Sequence, residues 1–191
     1  MSISYTTVVD ERDVRQIHEL QSANHHSVVD PEAAVSEGFT SVRHRLDVLA
    51  AMNREYPSIV AKDGDAVCGY CLMMPRTFRA QVPELESMFA TLEPLHWHGE
   101  RLADNPRWFV MGQVCVAAGF RGRGLFDGMY AKLREVYSPE FDLAITEISH
   151  RNLRSLRAHR RVGFETLLAH DGATADEQWE IVVWDWRQRF D

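Results

Sequence analysis

The tetrapeptide Arg121-Gly122-Arg123-Gly124 and the later series Asn152-x-x-Ser155-x-x-x-His159-x-x-x-Gly163-Phe164 hold the residues best suited to chemistry. Glycines let a turn bring backbone N–H groups close to a ligand, and arginines add fixed positive charge. Where a helix starts directly after such a turn, its unpaired N–H groups and its dipole favour an anion. The ligand this implies is a phosphate or pyrophosphate. Between the two blocks stands Glu147, flanked by apolar residues. A carboxylate in that setting is either paired to a cation or has chemical work to do. His159 shares a helical face with Ser155, and Ser155 with Asn152, by i, i+4 and i, i+3 spacing.

These residues need elements to hold them. The apolar run 109–116 reads as a strand and leads into the glycine turn. After Gly124, apolar residues at Leu125/Phe126, Met129/Tyr130, Leu133 and Val136/Tyr137 give the spacing of a helix with one buried stripe. Ser138-Pro139 ends it. Residues 141–149 read as a second strand, with Glu147 on the face of Leu143 and Ile145 by period-two counting. Asn152 can cap a helix over 153–161, and Gly163 can terminate it in the left-handed conformation. Strand, anion loop, helix, strand implies a parallel strand pair with a crossover.

The segment 114–164 resembles the acyl-CoA core of the GNAT superfamily of N-acetyltransferases. The loop of that family, [RQ]-x-x-G-x-[GA], maps onto Arg121, Gly122, Arg123, Gly124, Leu125 and Phe126. Its second block, Asn-x-x-small-x-x-x-Tyr-x-x-x-Gly-Phe, maps onto Asn152, Ser155, His159, Gly163 and Phe164. Two positions depart from the pattern. Phe126 stands where the family prefers Gly or Ala, so its side chain must turn into the core. His159 stands where many members carry Tyr.

The resemblance implies an α/β (α+β) fold in three layers. A mixed, mostly antiparallel twisted sheet of roughly six or seven strands would be flanked by helices and contain a splayed central parallel pair. It implies one domain over residues 1–191, with the acyl-CoA core at about 107–165. The implied activity is transfer of acetyl from acetyl-CoA to a primary amine, by direct attack in a ternary complex. A non-catalytic acyl-CoA-binding regulatory module on the same fold is the alternative.

Gly112 interrupts strand 107–116, as a glycine does at a bulge or a close backbone approach. In the family the matching strand splays from its parallel neighbour and receives the pantetheine arm, which places cofactor contacts at Val114, Cys115 and Val116. Asn152 and Ser155 would hydrogen-bond the cofactor. His159 would protonate the leaving thiolate. Glu147 would take the proton of the acceptor ammonium, with a water near Gln113 as the other base. The competing reading of Glu147 is an ion pair with Arg151 or Arg154.

Other features carry less. Cys115 lacks the His/Asp pattern of an acyl-carrying nucleophile. Cys68 and Cys71 have CxxC spacing, but on a regular strand an offset of three puts the thiols on opposite faces. His96, His98, His25 and His26 lack partner ligands at convincing spacing, so no metal is expected. Acceptor specificity is expected from Phe39 and Thr40 at the start of a helix over 39–54, from Glu86, Trp97 and His98 in the stretch 81–105, and from Trp108. That helix would bury Leu46, Leu49, Ala50 and Met52.

A net charge of -7 speaks against a nucleic-acid protein despite the local arginines. No run approaches the ~18 apolar residues of a membrane span. An odd number of cysteines and a start without a basic, apolar leader point to a cytoplasmic location. A homodimer is compatible with these features. The remaining expected elements are strand 4–9, helix 11–22, a hairpin of 58–62 and 66–74 around Asp63-Gly64-Asp65, and strands 164–169 and 178–185.

Overall fold

The computed structural model describes residues 2–25, 27, 40, 42–172 and 177–187. Its strands in chain order are β1 (Ile3–Thr7), β2 (Ile59–Asp63), β3 (Ala66–Met74), β4 (His96–Trp97), β5 (Glu100–Arg101), β6 (Trp108–Val116), β7 (Leu143–Ser149), β8 (Glu165–Asp171) and β9 (Gln178–Asp185). The described helices are α1 (Glu11–Ala23), α2 (Leu46–Glu55), α3 (Glu86–Leu92), α4 (Leu125–Tyr137) and α5 (Leu153–Val162). Seven strands form one sheet in the order β1-β2-β3-β6-β7-β9-β8, and β4 and β5 form a separate small hairpin. Every neighbouring pair in the large sheet is antiparallel except β6 and β7, which are parallel.

Two apolar layers sandwich this sheet. On one face Ile17, Leu49, Met52 and Phe89 from α1, α2 and α3 pack with Tyr70, Leu72, Trp108, Val110, Ile145 and Ile181. On the other, Leu125, Met129, Tyr130, Leu133 and Leu156 from α4 and α5 pack with Ile59, Cys71, Phe109, Ala144 and Val182. Each such side chain removed from water contributes about 1.5–3 kcal/mol. Helix α4 buries five residues, Tyr137 among them, whereas α5 buries only Leu156 and His159. Polar contacts must therefore carry much of the seating of α5.

The caps follow the sequence. The Asp10 carboxylate accepts from the Asp13 N–H at the start of α1. The Asn152 side chain accepts from the Ser155 N–H, and Gly163 closes α5 at φ 113°. Helix α4 has the expected bounds.

Strand β6 is the element that shapes the site. Its pairing with β3 steps from Leu72↔Gln113 to Met73↔Met111, which leaves Gly112 as the extra residue of a β-bulge. The bulge reverses the alternation of faces. Val110 and Gln113 both lie on the α1 side, and Met111 and Val114 both lie on the α4 side. Parallel pairing of β6 with β7 runs through Trp108↔Leu143, Phe109↔Ala144 and Val110↔Ile145, and stops there. Strand β7 stays paired to β9 as far as Ser149. The two parallel strands thus part where the bulge begins.

Three expectations need correction. Helix α2 begins at Leu46, and Leu46 is 40% exposed rather than buried. Leu49 and Met52 are buried beside Val48, which makes Leu46 the odd member of the stripe; Phe39 lies outside the described residues. Cys68 and Cys71 share one face, because the β2–β3 register shifts between Ala61 and Lys62 and makes Cys68 an unpaired extra residue. The stretch 81–105, expected to hold a helix and a long loop, has the helix, α3, but a short 3-10 turn and the β4–β5 hairpin where the loop was expected.

Candidate active site

Beyond Val110 the separated strands leave two adjoining cavities. The larger, of about 470 Å³, lies over the glycine turn, the start of α4 and the exposed flank of α5. The smaller, of about 70 Å³, lies deeper between β6 and β7. Thr40, Val114, Asn152 and Ser155 line both.

The glycine turn opens the larger cavity. Gly122 and Gly124 have φ of 76° and 78°, in the left-handed region. A Cβ on either would meet nothing within 4 Å, so the dihedral angle, not crowding, requires glycine. Gly124 is the N-cap of α4 with no side-chain cap bond, and the helix ladder begins at Gly128 N–H to Gly124 O. The N–H groups of Leu125, Phe126 and Asp127 thus precede the ladder and present a positive helix end.

Arg121, Arg154, Arg157 and Arg161 line this cavity. The Arg121 guanidinium donates to Val116 O at 3.2 Å and to Asn24 Oδ1 at 2.7 Å, tying the turn to the end of α1. Arg161 pairs with Asp127 at 2.7 Å. Arg123 is not among the lining residues; its guanidinium stands 5.3 Å over the Phe120 ring.

Backbone polarity along β6 follows from one bond. The Ala117 N–H donates to Cys68 O, toward β3. By strand alternation the N–H groups of Cys115 and Gln113 share that direction, and those of Val114 and Val116 turn toward the gap beside β7. Val116 O accepts from Arg121 on that gap side. Cys115 is buried, with its thiol pushed up to about 12 by burial, and cannot act as a thiolate.

His159 is enclosed. The rings of Phe126, Tyr130 and Phe164 surround it at 5.0 to 5.4 Å between centroids. Phe126 thereby points inward, as its size demands. Nδ1 of His159 lies 2.8 Å from the Ser155 carbonyl oxygen, so Nδ1 carries the hydrogen and donates. Nε2, 2.6 Å from Tyr130 Oη, then accepts the phenolic hydrogen. Burial lowers the imidazole to about 4. A neutral ring whose only N–H is committed to a carbonyl has no proton ready for a leaving sulfur. This geometry departs from the acid expected at that position. It leaves the Ser155 hydroxyl, 3.2 Å from Nδ1 and lining both cavities, as the nearby polar group.

Glu147 lines the smaller cavity. Its partner is neither Arg151 nor Arg154 but His170, with Nε2 2.6 Å from Oε1. Burial raises the carboxyl, and the hydrogen bond and charge of His170 oppose that rise. His170 escaped the sequence reading, because it meets Glu147 only through the strand order β7-β9-β8.

A polar network also stayed hidden. Gln113 Oε1 accepts from the Tyr70 hydroxyl and from Gln21 Nε2, and its own Nε2 donates to Val42 O. Gln21 Nε2 also lies 2.9 Å from Nδ1 of His44. The network clamps α1 and the segment 42–45 onto β6. Thr40 reaches the site as expected. The other acceptor-side candidates among the described residues do not. Glu86 binds Arg79, Trp97 donates to Asp185, His98 packs against Trp97, and Trp108 donates to Leu102 O.

No family model and no curated protein matches the sequence. Solved structures do match its fold. A protein from Desulfovibrio desulfuricans assigned to the GNAT family of acetyltransferases aligns with a TM-score of 0.64 at 13% identity, over 96% of this chain and 99% of that one. The ribosomal-protein-S18-alanine N-acetyltransferase of Escherichia coli aligns with a TM-score of 0.64 at 9% identity, over 100% and 97%. A protein from Salmonella typhimurium described as an acetyltransferase, solved with its cofactor acetyl-CoA, aligns with a TM-score of 0.64 at 14% identity, over 100% and 98%. At these identities the likeness is one of fold, and the fold of this chain is that of the GNAT acetyltransferases. Among the described residues no helix is long and apolar enough to cross a membrane.

Proposed function

We propose that this chain transfers an acetyl group from acetyl-CoA to a primary amine of a small molecule or peptide, by direct attack in a ternary complex. The observation that carries this reading is the parting of β6 from β7 after Val110↔Ile145, with an anion-binding helix start at one end of the gap and a half-buried carboxylate at the other.

The residues present fit the co-substrate. The N–H groups at the turn and the first turn of α4, from Gly122 and Gly124 through Leu125 and Phe126, would cradle the pyrophosphate. Arg121 would hold the turn in place, and Arg123 would contribute its backbone only. Val114 and Val116 would pair with the pantetheine amides, with Cys115, which also lines the larger cavity, between them. Asn152 and Ser155 would bound the thioester end. Acetyl-CoA supplies an acyl group activated by a good leaving thiolate.

The rest of the chemistry belongs to the chain. Glu147 takes a proton from the acceptor ammonium, which frees the nitrogen lone pair for attack. The Val114 N–H polarises the carbonyl undergoing attack, an oxyanion-hole role. The Ser155 hydroxyl donates to the departing sulfur, and His159 keeps that hydroxyl in position.

Thermal denaturation with acetyl-CoA, together with thiol release over a panel of amino acids, polyamines, aminoglycosides and peptide N-termini, tests the proposal. The expected result is stabilisation by mass action and thiol release with at least one amine class. No shift at millimolar acetyl-CoA would overturn it. A shift without thiol release from any amine would instead assign the chain to a binding module.

A further inference from the structure

The Glu147–His170 pair contains more than a base and a neighbour. Glu147 lies on β7 and His170 on β8, with β9 between them. The register sets Glu147 opposite Ile181, and His170 opposite Trp179, on β9. Both side chains reach over that strand to meet, and the meeting point borders the smaller cavity that Glu147 and Trp179 line.

Hydrogen bookkeeping shows what joins the pair. Nδ1 of His170 lies 3.0 Å from the Asp171 carbonyl oxygen and must donate to it. A neutral ring of that tautomer presents a bare lone pair at Nε2. Two lone pairs would not sit 2.6 Å apart, so one hydrogen lies between Nε2 and Oε1. The contact is a short hydrogen bond in which ring and carboxyl share one hydrogen. It occupies Oε1 and leaves Oε2 for the cavity.

We propose that His170 is a positioning residue of the reaction centre, holding Glu147 as a carboxylate with Oε2 presented to the acceptor ammonium. This rests on the acetyl-transfer reading above. In the step it serves, an N–H bond of the ammonium breaks, the electron pair stays on nitrogen, and an O–H bond forms at Oε2. Burial raises the Glu147 carboxyl, and the hydrogen bond from His170 opposes that rise.

Among the described residues, His170 is the one titratable side chain in contact with Glu147. From β9, Trp179 and Ile181 share the face, and from β6 the neutral Gln113 lines the same cavity. Asp171 takes part through its backbone carbonyl, and Glu177 lies at the hairpin end beside Gly172. His150 and Glu180 pair with each other, and Glu180 also holds Arg160 on the α5 side. Among the described residues no other ionisable group contributes to the shift of Glu147.

The test is a 13C-carboxyl NMR titration of Glu147 in the wild-type chain, His170→Ala and His170→Gln, alongside the pH profile of kcat/KM. His170 is partly exposed near a strand end, so both variants are expected to fold, and a melting curve on each sample verifies it. In His170→Ala the Glu147 midpoint should rise by about one pH unit or more, and the rising limb of kcat/KM should move up by the same amount. His170→Gln, which keeps a donor but no charge, should fall between. An unchanged midpoint overturns the proposal, as does a shifted midpoint with an unmoved limb. The NMR arm needs no acceptor. A wild-type chain that acetylates nothing would therefore sink the acetyl-transfer reading, while the midpoint still decides whether His170 governs Glu147.

Discussion

The hydroxyl of Tyr130 on α4 lies 2.6 Å from Nε2 of His159 on α5. This bond joins the two helices at the centre of an aromatic cluster, and the Ser155 carbonyl at Nδ1 sets its direction, from hydroxyl to ring.

Tyr130→Phe should therefore act on stability more than on chemistry. It leaves the buried Nε2 without its donor, which should cost about 1–3 kcal/mol. The rate per folded molecule should stay within about threefold of the wild type, because the ring transfers no proton. Chemical denaturation and active-site-normalised turnover on the same samples measure both. A fall of about a hundredfold in kcat at unchanged stability would return His159 to the role of acid.

His159 and His44 should together govern stability on the acid side. Burial lowers each to about 4. A histidine depressed in the folded state stabilises fully above its unfolded value of about 6.5, and that contribution is lost as pH falls toward 4. By pH 5 each should have given up about 2 kcal/mol. Urea unfolding at pH 7, 6 and 5 should show the decline, and His44→Gln should flatten part of it. A flat profile over this range would mean that neither ring is buried neutral.

Gly124 should rank substitutions by dihedral tolerance. With φ at 78° and open space around a Cβ, strain is the only penalty, on the order of 1–2 kcal/mol for a residue without left-handed preference. Asn should be tolerated best, Ala less and Val least. Acetyl-CoA affinity measured by calorimetry should follow the same order. Equal affinities in all three would separate the turn from the ligand.

Gln113 should prove costly to remove. Gln113→Leu leaves Tyr70 and Gln21 as buried donors without their shared acceptor, for a loss of about 3 kcal/mol. Gln21→Leu in the same chain should add much less than its own single effect, since the two residues belong to one network. Additive losses in a double-mutant cycle would disprove the clamp between α1 and β6.

The most legible parts of the fold were those with local signals. Helix α4 and strand β9 match their expected bounds, because apolar spacing and breakers lie within the segment itself. Asn152 and Gly163 cap α5 as read, since capping is settled within one turn. The glycine turn before α4 was legible for the same reason. Long-range partners were not. His170 meets Glu147 only through the β7-β9-β8 order, and Gln21 meets Gln113 from 92 residues away. The faces of Cys68 and Cys71 were misread because a bulge is invisible to period-two counting.

The bulge at Gly112 also determines what a deletion would do. Strand β6 is written in two phases, one up to Met111 and the opposite from Gln113 onward. Deleting Gly112 would make Met111 and Gln113 neighbours, and period-two alternation would keep both on the faces they already hold, paired to Met73 and Leu72 as before. What would vanish is the bulge, and with it the reason for β6 to leave β7 after Val110. A scan of single-residue deletions along β6 should find position 112 the best tolerated for folding and among the most damaging to acetyl-CoA binding.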